Sequence, residues 1–107
     1  MRLPKAIVVG ALVAYLSGAG STVGLSDEML AYGEYLSSEC TTCHRLDGSD
    51  KGIPSIVGWP ELDFVDAMMD YKEGLRQHEI MQNVSRSLGV EEMAALAKFF
   101  SQQNPTE

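Results

Sequence analysis

The sequence predicts an all-α fold with three main helices and connecting loops, in the part of the chain that follows its first 24 residues. Apolar residues in that part recur at spacings of three and four, as one face of a helix requires. No stretch alternates apolar and polar residues for long enough to predict a strand. Glycine and proline cluster between the periodic stretches, where they predict loops.

The first 24 residues have the pattern of a secretory signal peptide. Arg2 and Lys5 precede an apolar run, and the small residues after it offer cleavage sites at about residues 19–24. An uncleaved membrane anchor is the alternative, but the run is short for a span of about 20 residues. The sequence therefore predicts export to the periplasm and a mature domain, residues 25–107, without a membrane span.

The mature domain is strongly acidic. The whole chain has 8 Lys and Arg and 15 Asp and Glu. Cleavage removes 2 of the cations, so the mature net charge is 6 − 15 = −9. This charge disfavours nucleic acid as a partner and favours docking on a basic protein surface. Because a domain of this size buries only about 60% of its unfolded surface, a covalent cofactor would help to stabilise it.

The first helix is predicted over residues 26–39, with Ser26 as its N-cap and acidic residues in its first turn. Gly33 lies in the middle of this helix, at a cost of up to about 1 kcal/mol relative to alanine. One reason for a glycine there is the close approach of another helix. The predicted apolar face consists of Met29, Tyr32, Leu36 and Cys40.

Two further main helices are predicted after a long loop. The second covers residues 61–73, with Pro60 at its start and Gly74 after its end. Its inner face is predicted to hold Leu62, Val65, Met69 and Met68. Residues 75–89 are predicted to be less regular, with at most one short helix. The last helix starts at Val90, and its buried face is predicted to hold Met93, Leu96, Ala97, Phe100 and the adjacent Phe99.

Both cysteines of the chain lie in the motif Cys40-Thr41-Thr42-Cys43-His44, which has the C-x-x-C-H spacing of c-type haem attachment. Residues three apart on a helical turn lie on one side, about 5–6 Å apart. Two such thiols can form thioethers with the two vinyl groups of one haem. The histidine that follows comes under the macrocycle, where it can bind the iron. The motif thus predicts one covalent haem c on Cys40 and Cys43, with His44 as an axial ligand.

Three other kinds of site could use the same residues. A structural zinc site needs four ligands, so His78 would have to complete a set in which Cys43 and His44 are adjacent. A thioredoxin-like redox pair would need neighbouring strands. A local disulfide would close a very small loop and add little stability. Haem is favoured because it agrees with the motif, the export signal and the helical pattern together.

The second axial ligand has several candidates, and the position could also stay open. Met68, Met69 and Met93 lie on predicted helix faces, where methionine usually fills the core. Met81 lies in the less regular stretch, from which a thioether can turn onto the iron, so position favours it. The other candidates are Met29 and His78.

The mature chain resembles a class I mono-haem cytochrome c over nearly all of its length. The resemblance implies that Gly33, seven residues before the first cysteine, lets the first and last helices cross against Leu96 and Phe99. It also implies that the carbonyl group of Pro54 accepts a hydrogen bond from Nδ1 of His44. Such a bond would fix the orientation of the imidazole.

Residues 63–100 are most similar to the cytochrome subunit of flavocytochrome c sulfide dehydrogenase. The shared pattern is a helix that ends in aromatic-Lys-x-Gly, then a short arm, then Ile-Met, then the last helix. Met81 falls on the axial methionine of that pattern. The chain departs from it at Gly89, where Ser or Thr is usual before the helix, and at Trp59, where many relatives are polar. Trp59 could line the haem edge, face a partner or pack in the core.

The resemblance implies an electron-transfer protein, as the non-catalytic haem subunit that accepts electrons from an FAD-bearing sulfide dehydrogenase. Histidine and methionine would fill both axial positions and raise the reduction potential relative to two histidines. The alternatives are a free periplasmic shuttle between respiratory or photosynthetic complexes and, third, a haem sensor with an open sixth site. The apolar shell of the haem is predicted to be Tyr35, Leu36, Ile53, Ile56, Val65, Met69, Leu96 and Phe100.

Overall fold

The computed structural model describes residues 24–105, and the predicted signal peptide, apart from Gly24, lies outside the described residues. Within that range the elements are four helices and no strands: α1 (Leu25–Ser37), α2 (Glu61–Glu73), α3 (Glu79–Arg86) and α4 (Val90–Ser101). The predicted all-α fold is confirmed, and it is consistent with a small cytochrome c. None of the helices in residues 24–105 is long and apolar enough to cross a membrane.

Helix α1 starts one residue earlier than predicted, and Ser26 is not its N-cap. The carbonyl oxygen of Gly24 accepts hydrogen bonds from the N–H groups of Asp27 and Glu28, so the first turn forms around Gly24. The helix ends at Ser37, whose hydroxyl donates to the carbonyl of Glu34 at 2.6 Å. Such local bonds compete with regular helix. The three Ser and Thr residues that follow bond in the same way, three residues back: Ser38, Thr41 and Thr42.

Helix α4 is the centre of the fold, because both α1 and α2 pack against it. Gly33 is buried at the α1–α4 crossing, where a Cβ would lie 2.9 Å from the Cβ of Phe99. The predicted close approach at Gly33 is therefore confirmed. The three atoms nearest to that Cβ belong to Ala95 and to the predicted partner Phe99. Leu96, the other predicted partner, is buried next to Ala95 in the sequence of α4.

Helix α2 has the predicted bounds and the predicted terminal glycine, since Gly74 has a φ of +79°. Its inner face, however, is rotated from the predicted one. Phe64 and Met68 are its buried residues, and Leu62 is 78% exposed. The reason is the stacking of Phe64 on Phe100 of α4, with 5.7 Å between the ring centroids, which sets the rotation of α2. Two predicted inner residues are only half-buried beside this contact: Val65 and Met69.

The core lies along α4. Its predicted buried face is confirmed, since all five of its predicted residues are at most 8% exposed: Met93, Leu96, Ala97, Phe99 and Phe100. The rings of Phe99 and Phe100 meet edge to face at 5.2 Å. Helix α3 completes the fold by packing on α2.

Candidate haem site

The Cys-x-x-Cys-His motif forms a tight turn directly after α1. The carbonyl oxygen of Cys40 accepts hydrogen bonds from the N–H groups of both Cys43 and His44, at 3.2 and 2.8 Å. Neither cysteine is in a disulfide: Cys40 is half-buried and Cys43 is exposed. The turn therefore presents two free thiols and one imidazole within five consecutive residues.

The imidazole of His44 has a partner in the following loop. Its Nδ1 lies 2.6 Å from the carbonyl oxygen of Pro54. A carbonyl can only accept a hydrogen bond, so Nδ1 carries the proton and donates it. In a neutral imidazole the other nitrogen, Nε2, then keeps a free lone pair for a metal. The contact thus selects the tautomer that an iron ligand requires.

The loop that carries Pro54 is attached to the end of the last helix. The N–H group of Gly58 donates to the carbonyl oxygen of Phe100 at 2.9 Å. Gly58 has a φ of +75°, a backbone conformation that residues with a Cβ rarely adopt. The adjacent Val57 is 7% exposed and belongs to the core. The loop is therefore fixed to the core at Val57 and Gly58, and this attachment helps to hold Pro54 in place beside His44.

The thiol of Cys40 packs against the apolar core cluster. Burial raises its pKa to about 11, and the charges of Glu39 and Cys43 add to this effect. Reactive redox cysteines have pKa values below the ordinary one, whereas the pKa of Cys40 is shifted in the opposite direction. No three His, Cys, Asp or Glu side chains of residues 24–105 are grouped as a metal ion would need.

Met81 lies in the first turn of α3, which is the one short helix that residues 75–89 form. It is half-buried at the margin of the core cluster, where Cys40 also packs. His78 is the N-cap of α3 and is exposed: its Nδ1 accepts a hydrogen bond from the N–H of Met81 at 3.3 Å. The N–H of His78 in turn donates to Oε1 of Gln82 at 3.2 Å. Sequence analysis missed this cap because histidine is not among the usual N-cap residues.

The other methionines divide into core and margin. Met93 is fully buried and Met68 is 6% exposed, so both fill the core. Met69 is half-buried against the core cluster. Met29 lines an open cleft at the start of α1, together with residues of α2 and α4. Among these side chains Met81 alone lies on α3.

The side chains predicted to form the apolar shell of the haem differ in how far they are buried. Leu96 and Phe100 are buried, and four members are half-buried against the core cluster: Leu36, Ile56, Val65 and Met69. Ile53 is 40% exposed, and Tyr35 is 77% exposed, so these two do not join the interior. Tyr35 points outward because it is two residues, or about 200°, around α1 from Gly33, which faces α4.

These features together fit a covalently attached haem. The two thiols are free, Nδ1 of the adjacent imidazole is held by a carbonyl group, and half-buried apolar side chains form the margin of the core. An apolar margin of this kind suits a large planar macrocycle, which would remove those side chains from water. The donor set of one imidazole and one thioether is also a common axial pair of haem iron.

Trp59, one of the departures from the cytochrome pattern, has two environments. It is half-buried and packs against the core cluster. It also lines an open cleft of about 410 Å³ along α2. One part of the Trp59 side chain therefore packs in the core, and another part faces the cleft at the surface. The other residues along the cleft are Pro60, Asp63, Asp66, Ala67, Asp70 and Arg76.

Two curated proteins are similar to the chain. The cytochrome subunit of sulfide dehydrogenase from Chlorobaculum tepidum is 35% identical over 69 residues, which is 64% of this chain and 63% of that protein. The thiosulfate dehydrogenase electron acceptor from Thiomonas intermedia is 26% identical over 72 residues, which is 64% of this chain and 33% of that protein. No protein-family model matches the chain. The resemblance predicted from residues 63–100 is confirmed by the first of these similarities.

Proposed function

We propose that this chain is an exported cytochrome that carries one covalent haem c and transfers single electrons for a dehydrogenase of sulfur compounds. The observation that carries the proposal is its similarity to a protein named as the cytochrome subunit of sulfide dehydrogenase and to one named as a thiosulfate dehydrogenase electron acceptor. The free thiols of Cys40 and Cys43, in one turn with His44, support it independently.

Each residue of the site has a proposed role. Cys40 and Cys43 would hold the haem through thioethers, and Nε2 of His44 and the sulfur of Met81 would be the axial ligands. The haem supplies reversible one-electron storage between ferrous and ferric iron. Pro54 keeps His44 in one orientation through the 2.6 Å contact with Nδ1. The core beside the site excludes water, which favours the less charged ferrous state.

The proposed electron donor is an FAD-bearing sulfide dehydrogenase subunit. The first relative is named as a subunit of sulfide dehydrogenase, and the acidic charge of the mature domain suits a basic docking surface on the partner. The proposed acceptor is another periplasmic cytochrome. A thiosulfate dehydrogenase is a second candidate donor, because the other relative is named as an electron acceptor of that enzyme.

The test uses the full chain, expressed with its export signal in a host that attaches haem c in the periplasm. The reading frames next to its gene would be expressed in parallel, and haem reduction would be followed after addition of sulfide or thiosulfate. Reduction by sulfide that requires a co-purifying flavoprotein supports the subunit role. Reduction without a stable complex indicates a free shuttle, and reduction by thiosulfate alone selects the second donor. A ferrous haem that binds carbon monoxide readily would indicate an open sixth site and overturn the proposal.

A further inference from the structure

Helix α3 depends on outside attachments for its position. It has 8 residues, fewer than the about 12 to 15 that an isolated helix needs to be even marginally stable in water. Among the four helices of residues 24–105, α2 is its one packing partner. Because Met81 lies in the first turn of α3, whatever holds α3 against α2 also decides where the sulfur of Met81 lies.

Lys72 attaches the far end of α3 to α2. It is half-buried in the last turn of α2, and its Nζ donates a hydrogen bond to the carbonyl oxygen of Leu88, in the joint between α3 and α4. A hydrogen bond from an ammonium group is roughly twice as strong as a neutral one. The positive charge also lies in the last turn of α2 and just beyond the end of α3, where both helix dipoles favour it.

The joint that Lys72 reaches lies beside the interior: Leu88 is half-buried, and Ser87 and Gly89 on either side of it are exposed. Ser85 is fully buried, and its hydroxyl donates to the carbonyl of Gln82 at 3.0 Å. Leu88 packs against the core cluster, and its N–H donates to the carbonyl of Ser85 at 3.2 Å. Loss of the lysine would leave the Leu88 carbonyl without this donor in a partly buried place, where an unmade hydrogen bond is costly.

Lys98 provides a contrast within the same chain. Its Nζ lies 3.9 Å from a carboxylate oxygen of Glu61, and the two side chains are 21% and 50% exposed. An ion pair at this distance, with its carboxylate half exposed to solvent, contributes little to stability. The two lysines therefore carry the same charge, but Lys72 bonds to the backbone after α3, whereas Lys98 lies near a side chain at the start of α2.

We propose that Lys72 is a positioning residue for Met81, an inference that rests on the axial role proposed for Met81 above. The His78 cap holds the first turn of α3, and the Lys72–Leu88 bond holds the joint after its last turn. The cap is local to α3, so of the two bonds it is the Lys72–Leu88 bond that fixes α3 relative to α2. Without Lys72 the joint separates from α2 more often, and the sulfur of Met81 leaves the iron for a larger fraction of the time.

The experiment measures how easily an added ligand replaces the methionine. Ferric holoprotein would be titrated with imidazole while the weak far-red absorption band of methionine-ligated haem is followed. We expect Lys72→Met to raise the affinity for imidazole about tenfold, which corresponds to about 1.4 kcal/mol. Lys98→Met, which makes the same change of charge and size, is expected to leave the affinity as in the wild type. Lys72→Arg keeps a charged donor and is expected to restore most of the wild-type affinity.

The outcomes separate this inference from the proposed function. If the wild type lacks the far-red band, the axial role of Met81 fails. If the band is present and Lys72→Met binds imidazole as the wild type does, the inference about Lys72 is wrong. Equal effects of Lys72→Met and Lys98→Met would also overturn it, since charge alone would then be responsible. Should Lys72→Met yield no holoprotein, Lys72→Gln decides: wild-type affinity in that variant contradicts the proposal, and an increase supports it.

Discussion

Gly33 of α1 faces Ala95 of α4 so closely that a Cβ at residue 33 would lie 2.0 Å from the carbonyl oxygen of Ala95. The contact is between backbone and backbone, so no side chain can rotate away to make room. The motif with both cysteines begins three residues after the end of α1. This crossing therefore determines where the start of the Cys-x-x-Cys-His turn lies relative to α4.

Gly33→Ala is expected to destabilise the fold by about 3 kcal/mol, because overpacking outweighs the gain in helix propensity. Urea unfolding of the holoprotein measures the change. The control is Gly89→Ala, where the nearest atom to a new Cβ would be 3.6 Å away, and where loss of a glycine N-cap should cost less than about 1 kcal/mol. Equal losses in the two variants would contradict the close crossing.

Met81→Ala is expected to abolish the far-red band of the ferric protein and to lower the reduction potential, because a methionine ligand raises that potential. Absorption spectroscopy and a redox titration measure the two effects. Met68→Ala is the matched control, since Met68 is 6% exposed in the core. It should keep the band while it loses about 2–5 kcal/mol of stability. Persistence of the band in Met81→Ala would show that another residue is the ligand.

Replacement of the cysteines tests the attachment of the haem. Cys40→Ala and Cys43→Ala should each retain the haem through one thioether, and the double variant should release it on denaturation. Mass spectrometry of the denatured chain measures the covalent haem. Thr42→Ala lies between the two cysteines and is exposed, so it should leave both thioethers intact. Covalent haem in the double variant would mean that other side chains attach it.

His78→Ala is expected to lower the stability of α3 by about 1 kcal/mol, because the N–H of Met81 loses the acceptor that Nδ1 provides. Hydrogen exchange measures this, as faster exchange of the Met81 amide. His78→Asn offers a side-chain oxygen at the same N-cap and should restore slow exchange. If His78→Ala exchanges as slowly as the wild type, the cap does not hold the first turn.

Local sequence predicts much of this fold. The bounds of α2, the left-handed Gly74 and the buried face of α4 follow from residue spacing and from helix-end preferences. The motif at residues 40–44 is equally local, because its chemistry depends on residues within one turn. These features could be predicted since each rests on interactions between neighbours in the chain.

The errors concern contacts between distant residues. The rotation of α2 depends on the stacking of Phe64 on Phe100, and hydrophobic spacing along α2 alone permits either face. The atoms nearest to Gly33 include those of Ala95, and the spacing of residues along α4 does not reveal that the backbone of Ala95 approaches the glycine. Capping by His78 was missed because the usual N-cap preferences do not include histidine.

The sequence by itself determined the helical class, the two cysteines with their histidine, and the resemblance to a cytochrome subunit of sulfide dehydrogenase. The resemblance also implied that Pro54 meets Nδ1 of His44, and the structure shows that contact. Only the tertiary structure decided that Met81 lies in a capped helix and that Lys72 reaches the carbonyl of Leu88. The physical reason is that the spacing of residue types along the sequence shows only which residues lie on the same turn or face of a helix. Contacts across 10 or 16 positions, such as His44–Pro54 and Lys72–Leu88, arise when the helices pack around α4.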